Sequence, residues 1–143
     1  MPTLEDAIAL AAQAHRGQVD KSGQPYILHP LRVMLRCRTD AQRIAAVLHD
    51  VVEDTGRTLG DLRDLGYPAD ILAALDCLTK RAGEPYEAFV ERAAADPIAR
   101  VVKLADVEDN LDLRRLPGVS DRDVDRLARY VRAWRRLQQQ EAP

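Results

Sequence analysis

AAVLHDVVEDT, residues 45–55, places His49, Asp50, Glu53 and Asp54 in a stretch that is otherwise an apolar helix. Residues four apart lie on one side of a helix, which predicts His49 over Glu53 and Asp50 over Asp54. Three carboxylates and an imidazole this close repel one another and would destabilise a packed helix without compensation. A divalent cation compensates, because imidazole and carboxylate are suitable ligands for zinc, manganese or iron. Adjacent residues project roughly 100° apart, so one helix end can present both His49 and Asp50 to the same ion.

Two further stretches carry polar residues where apolar ones would be expected. In RVVKLADVEDN, residues 100–110, Asp106 follows an apolar segment, with Asp109 and Asn110 three and four residues on. In YILHP, residues 26–30, His29 stands directly before Pro30 and would be held by a rigid turn with its ring free to point inward. Each feature has a plainer reading alone: a capping His, a surface His-Asp pair, an Asp at a helix end. Together, with carboxylates one turn after the His-Asp pair, they read as two His and two Asp ligands from three elements. Such a set leaves coordination positions open for water and substrate, as a catalytic rather than a structural centre requires.

Outside these stretches, capping residues and breakers divide the chain into helices. Thr3 caps a helix through about Arg16, with Asp6 three residues on and Gly17 as its stop. Residues 17–29, with two glycines and a proline, read as a loop. Pro30 suits the first position of a short helix to Arg38, and Asp40 caps the next. Thr58 with Asp61 opens a helix ended by Gly66, and Pro68 starts one through Leu78. Glu84–Ala95 and Asp96–Leu113 follow, the second with Pro97 in its first turn. Ser120 with Asp123 starts the last helix, toward Gln140. With no strand-period segment and no internal repeat, the expectation is an all-α, compact multi-helix bundle forming a single domain over 1–143.

Composition limits the functional classes. The chain has 143 residues, 46% apolar and 31% charged, as in folded soluble domains. No apolar run approaches the roughly 20 residues needed to cross a bilayer. The start MPTLEDAIAL lacks the basic-then-apolar layout of a secretory signal. Cys37 and Cys77 are far apart, without disulfide-framework or zinc-site spacing, so a reducing cytoplasm is expected. A net charge of -2 gives no global case for nucleic acid, and no membrane partner is expected. The oligomeric state is not set by the sequence.

Other polar residues read more plainly. His15 falls on the apolar stripe of the first helix, as a buried, hydrogen-bonded core histidine. In the last helix Val124, Leu127, Val131 and Trp134 are expected to pack on the body. Arg122, Arg126, Arg129, Arg132 and Arg136 would form a solvated face. Lys80, Arg81, Arg114 and Arg115 lie in loops from which they could approach a phosphate chain. The tail from Gln138 to Pro143 is expected to fray.

The segments AHRGQVDKSGQPYILHPLRV, VLHDVVEDT and VVKLADVEDN resemble those of the HD domains, named for the doublet that stands here as His49-Asp50. Within them they are similar to the hydrolase domain of the bifunctional alarmone enzymes and their small stand-alone relatives. The resemblance implies an all-α fold, one manganese ion and hydrolysis of the 3′-pyrophosphate of guanosine penta- or tetraphosphate. It implies His29, His49, Asp50 and Asp106 as metal ligands, and Glu53 and Asp54 as the pair that positions or deprotonates the attacking water. Lys21, Ser22 and Asn110 match residues that meet the nucleotide.

The chain departs from that pattern in two places. Asp20-Lys21 stands where the family has Arg-Lys, an anion replacing a cation that pairs with or stacks on the nucleotide. The family's Asp-Arg-Leu-His-Asn is here Asp106-Val107-Glu108-Asp109-Asn110, and its Met-Arg-Thr is Leu111-Asp112-Leu113. Two alternatives follow: the same metal chemistry on another phosphorylated nucleotide or a dinucleotide phosphate, and a non-catalytic nucleotide sensor. A sensor has no need of the Glu53-Asp54 pair.

Overall fold

Side-chain caps open α-helices at Thr3, Thr39, Thr58, Asp96 and Ser120 in the computed structural model, which describes residues 1–139. The helices are α1 (Leu4–Ala14), α2 (Leu28–Leu35), α3 (Asp40–Leu48), α4 (Val51–Asp54), α5 (Leu59–Asp64), α6 (Ala69–Cys77), α7 (Tyr86–Ala94), α8 (Pro97–Asn110) and α9 (Asp121–Gln138). A 3-10 helix, Leu113–Arg115, joins the last two. Among the described residues there is no β-strand, only an isolated bridge between Val19 and Pro25 in the loop before α2. The all-α expectation holds.

The pairs Thr3/Asp6, Thr58/Asp61 and Ser120/Asp123 form reciprocal capping boxes, as their spacing predicted. Gly17 and Gly66, with φ of 83° and 96°, follow the ends of α1 and α5, a conformation L side chains rarely adopt. The cap of α3 is Thr39 rather than the expected Asp40. Gln42, three residues after Thr39, returns a hydrogen bond to the cap, whereas Arg43, three after Asp40, has no acceptor to offer.

Three boundaries differ from expectation for identifiable reasons. Helix α2 begins at Leu28, so Pro30 is its third residue and His29 lies inside the first turn. The missing N–H of Pro30 costs little there, because first-turn donors have no intrahelical partner. Helix α3 ends at Leu48, and His49-Asp50 forms a joint before α4 instead of continuing one helix. The His49 ring Nδ1 lies 2.5 Å from the Ala46 carbonyl, competing for the acceptor that a continuing helix would use. Helix α8 stops at Asn110 rather than Leu113, where the Asp112 side chain accepts from Arg114 N and starts the 3-10 turn.

Helix α3 is the central element. It packs on α1, α2, α6 and α8, and Ala45 through Leu48 are all fully buried. This explains the apolar character of the segment before His49: the helix runs through the core and carries His49 and Asp50 just beyond its end. A second cluster joins Val90 and Ala94 of α7, Val107 of α8, and Ala133 and Leu137 of α9.

The seam of α9 is Tyr130, Ala133, Trp134 and Leu137; of the expected stripe Trp134 packs there and Leu127 is half-buried, but the two valines do not pack. Val124 and Val131 are 54% and 40% exposed. The helix is rotated so that Tyr130 meets Tyr86, with ring centroids 6.2 Å apart, and the larger rings rather than the valines fill the interface. Arg122, Arg129 and Arg132 face solvent as expected, whereas Arg136 is half-buried and pairs with Glu91 at 2.6 Å. Cys37 and Cys77 are free thiols. No helix among the described residues is long and apolar enough to cross a membrane. Gln138 still lies in α9; residues 140–143 of the expected frayed tail fall outside the described residues.

Candidate metal centre

The four expected ligand residues meet in one place. His29 comes from the first turn of α2, His49 and Asp50 from the joint between α3 and α4, and Asp106 from α8. One donor atom from each of His29, His49 and Asp50 lies within 4.8 Å of the other two. Asp106 Oδ1 is 2.9 Å from His29 Nε2 and 3.4 Å from His49 Nε2. All four side chains are buried.

The geometry of His49 tests whether these residues suit a cation. With Nδ1 turned to the Ala46 carbonyl, Nε2 faces Asp50 Oδ2 at 3.1 Å and Asp106 Oδ1 at 3.4 Å. It is shielded from solvent and makes no hydrogen bond to either. A buried polar atom without a partner is costly and uncommon in a native protein. A buried imidazole nitrogen beside two carboxylates is a donor set that a divalent cation satisfies, so the residues fit the metal that the resemblance implies.

Neighbouring groups hold the two carboxylates in place. The Tyr26 hydroxyl donates to Asp50 Oδ2 at 2.6 Å, and burial together with that carboxylate pushes the phenol up from its ordinary range. Lys103, itself buried, donates from Nζ to Asp106 Oδ2 at 3.1 Å and sits 4.3 Å over the Phe89 ring. Burial works against ionisation of Asp106, but Lys103 and the two histidines hold its carboxyl well below the ordinary range. Burial likewise opposes ionisation of Asp50, which His49 outweighs, holding it at about 2. Neither Tyr26 nor Lys103 was expected here. The available signal was a Lys three residues before Asp106 in an apolar run, the spacing of a helical ion pair.

These charges give the metal-free centre a defined pH response. Burial would lower His49, but Asp50 and Asp106 hold it well above 6.5, and His29 is raised by Asp106 and Asp109 against its own burial. A raised folded pKa adds stability below the unfolded value, which is lost as pH climbs through the folded one. Chelator-treated protein is therefore expected to lose stability as pH rises above 6.5. Protein holding a cation should gain over the same interval, because its ligands must be deprotonated. Urea denaturation on either side of that pH, with and without chelator, checks both signs; identical trends would contradict the account.

Glu53 and Asp54 lie at the mouth of the same cavity, about 250 Å³ in volume, with His29, His49, Asp50 and Asp106 in its wall. Partial burial, then the nearby Asp50, raises both carboxyls above their ordinary range. Asn110 also lines it and donates to Asp106 Oδ1 at 3.3 Å. A second cavity of about 280 Å³ shares Tyr26, Asn110, Arg115 and Tyr130 with the first and is bordered by Asp20, Lys21 and Arg126. Lys21 is half-exposed and pairs with Asp123 at 3.3 Å.

Ser22 lines neither cavity; its hydroxyl donates to the Arg115 carbonyl. Asp20 serves the loop, its Oδ1 accepting from the Ser22 and Gln24 amides at 2.9 and 3.0 Å. Of the loop cations expected near phosphate, Arg115 borders both cavities, while Arg114 is 88% exposed and pairs with Asp112. Lys80 and Arg81 are exposed outside both. His15 is buried, with Nδ1 2.8 Å from Gln18 Oε1, and belongs to the core as expected.

The chain is similar in sequence and fold to known proteins. Residues 7–139 match the sequence profile described as HD domain. A Streptomyces coelicolor protein named GTP pyrophosphokinase is 40% identical over 126 residues, covering 78% of this chain and 15% of that protein. An Aquifex aeolicus protein named guanosine-3′,5′-bis(diphosphate) 3′-pyrophosphohydrolase is 31% identical over 120 residues, covering 76% and 17%. This chain thus spans about a sixth of the length of these curated relatives. A solved structure of a metazoan ortholog of SpoT, described as hydrolysing ppGpp, superposes with a TM-score of 0.80 at 27% identity, covering 99% of this chain and 90% of that one.

Proposed function

The chain belongs to the HD domain family, and from that premise we propose that it is a metal-dependent hydrolase of guanosine 3′,5′-bis(diphosphate). The reaction releases pyrophosphate from the 3′ position and leaves GDP, or GTP from the pentaphosphate. The observation that carries this reading is the orphaned His49 Nε2, buried between Asp50 and Asp106 beneath a cavity that Glu53 and Asp54 border. His29, His49, Asp50 and Asp106 would hold one divalent ion, manganese by family resemblance. Such an ion supplies Lewis acidity, acidifying water and offsetting charge on a phosphate.

The remaining chemistry belongs to the protein's own residues. Glu53, with its carboxyl raised toward the operating pH, accepts the proton of the attacking water. Asp54 orients that water beside it. Lys103 grips Asp106 Oδ2, which leaves Oδ1 directed at the two histidines. Asn110 and Lys21, with Arg115, offer donors to the nucleotide along the paired cavities. Ser22 takes part in binding only if its hydroxyl leaves the Arg115 carbonyl. The reading treats residues 1–143 as one catalytic domain acting in the cytoplasm, where both thiols stay reduced.

A second reading keeps the reaction and changes the substrate to another phosphorylated nucleotide. Asp20 favours it, since a carboxylate borders the second cavity where the resembling sequences have an Arg. Purified protein with manganese should release pyrophosphate from guanosine tetraphosphate. Orthophosphate from other nucleotides, and no pyrophosphate from this one, would support the second reading instead.

A further inference from the structure

Asp109 has no exposed surface, yet it stands outside the metal set. Its Oδ2 lies 2.6 Å from His29 Nδ1. The other ring nitrogen of His29, Nε2, is the one that faces Asp106 at 2.9 Å and Asp50 at 3.7 Å. Arg32 grips both oxygens of Asp109, with Nε 2.8 Å from Oδ1 and Nη2 3.2 Å from Oδ2. Arg115 Nη1 adds a contact to Oδ2 at 2.9 Å. A carboxylate out of reach of water needs such partners to stay ionised, and two guanidinium groups supply them.

An imidazole that offers Nε2 to a cation must carry its proton on Nδ1, so an acceptor at Nδ1 selects the ligating tautomer and aims the ring. We infer that Asp109 is the positioning residue for His29: it accepts the Nδ1 proton, commits Nε2 to the cation, and is itself held by Arg32 and Arg115. His49 reaches the same end differently, through the Ala46 backbone carbonyl 2.5 Å from its Nδ1. Asp109 stands at the position where the resembling sequences carry His. Arg115 also borders both cavities, so the support of His29 is built from a residue within reach of the substrate.

This inference rests on His29 being a ligand, and zinc binding by the full chain tests the two separately. Competition against a chromogenic chelator should show zinc held roughly 10–100-fold more weakly by Asp109→Ala. Asp109→Asn, which keeps an acceptor oxygen, should lose less. In the zinc-loaded wild type, long-range 1H–15N correlation should find the His29 proton on Nδ1 and the metal on Nε2. A purely structural Asp109 would lower stability without moving either readout.

The inference is overturned if the wild-type His29 proton sits on Nε2, or if both variants bind zinc as the wild type does. Those results would leave the metal centre standing. Wild-type protein that binds no zinc would overturn the centre and this inference together. Should Asp109→Ala lose its helical circular dichroism, Asp109→Asn and the wild-type spectrum decide the question.

Discussion

Glu53→Gln is expected to lower turnover of guanosine tetraphosphate by roughly 10²–10⁴-fold while metal content stays at the wild-type level. The substitution is nearly isosteric but neutral, so it removes the charge and the ability to accept a proton. Glu53 sits at the mouth of the cavity and not among the converging donors of His29, His49 and Asp50, so the amide leaves the cation site intact. Its carboxyl is raised by partial burial and by Asp50 and Asp54, bringing it closer to the pKa at which a general base works well. Steady-state rates and elemental analysis of the same preparation separate the two effects. Unchanged turnover would remove Glu53 from the mechanism, and lost metal would make it a ligand.

Asp106→Ala should have two consequences. The metal centre loses the carboxylate that touches both histidines, so bound cation should fall to background. The metal-free fold should also weaken, by about 3–5 kcal/mol, because the buried Lys103 ammonium loses its partner. Urea denaturation of chelator-treated protein measures the second effect apart from the first. Asp106→Asn retains a hydrogen-bond acceptor for Lys103 and should be less destabilised. Wild-type stability in Asp106→Ala would mean that Lys103 finds another partner, and wild-type metal content would remove Asp106 from the set.

The proposed ligand residues stand out in the sequence because they break its patterns. His49 and Asp50 interrupt an apolar run that the central helix needs, and Asp106 does the same in α8. Helix starts were legible where both members of a capping box are present, as at Thr3/Asp6, Thr58/Asp61 and Ser120/Asp123. The break after Leu48 was not, because it depends on the His49 ring taking the Ala46 carbonyl, a contact that periodicity does not encode. In α9 Trp134 was legible, but Val124 and Val131 were misplaced, because periodicity does not show that Tyr130 turns inward against Tyr86.

The groups around the ligands were hidden for a different reason. Asp109 and Arg115 drew notice in the sequence, but nothing there pairs them with each other or with Arg32, and nothing marks Lys103 as buried. Their partners lie up to 80 residues away, as with Asp109 and His29. Only the fold shows that these charges neutralise one another inside the protein. Asp20 gives the opposite case: a departure in the nucleotide-binding loop is also a loop-capping residue, with one oxygen committed to two backbone amides.

The central claim is that His29, His49, Asp50 and Asp106 hold a single divalent cation. Anomalous diffraction at the manganese edge, from crystals grown with that metal, tests it most directly. The account predicts one strong peak bonded to one atom from each of the four side chains, with the His29 and His49 contacts made through Nε2. A peak elsewhere, or none in that pocket at saturating manganese, would contradict it.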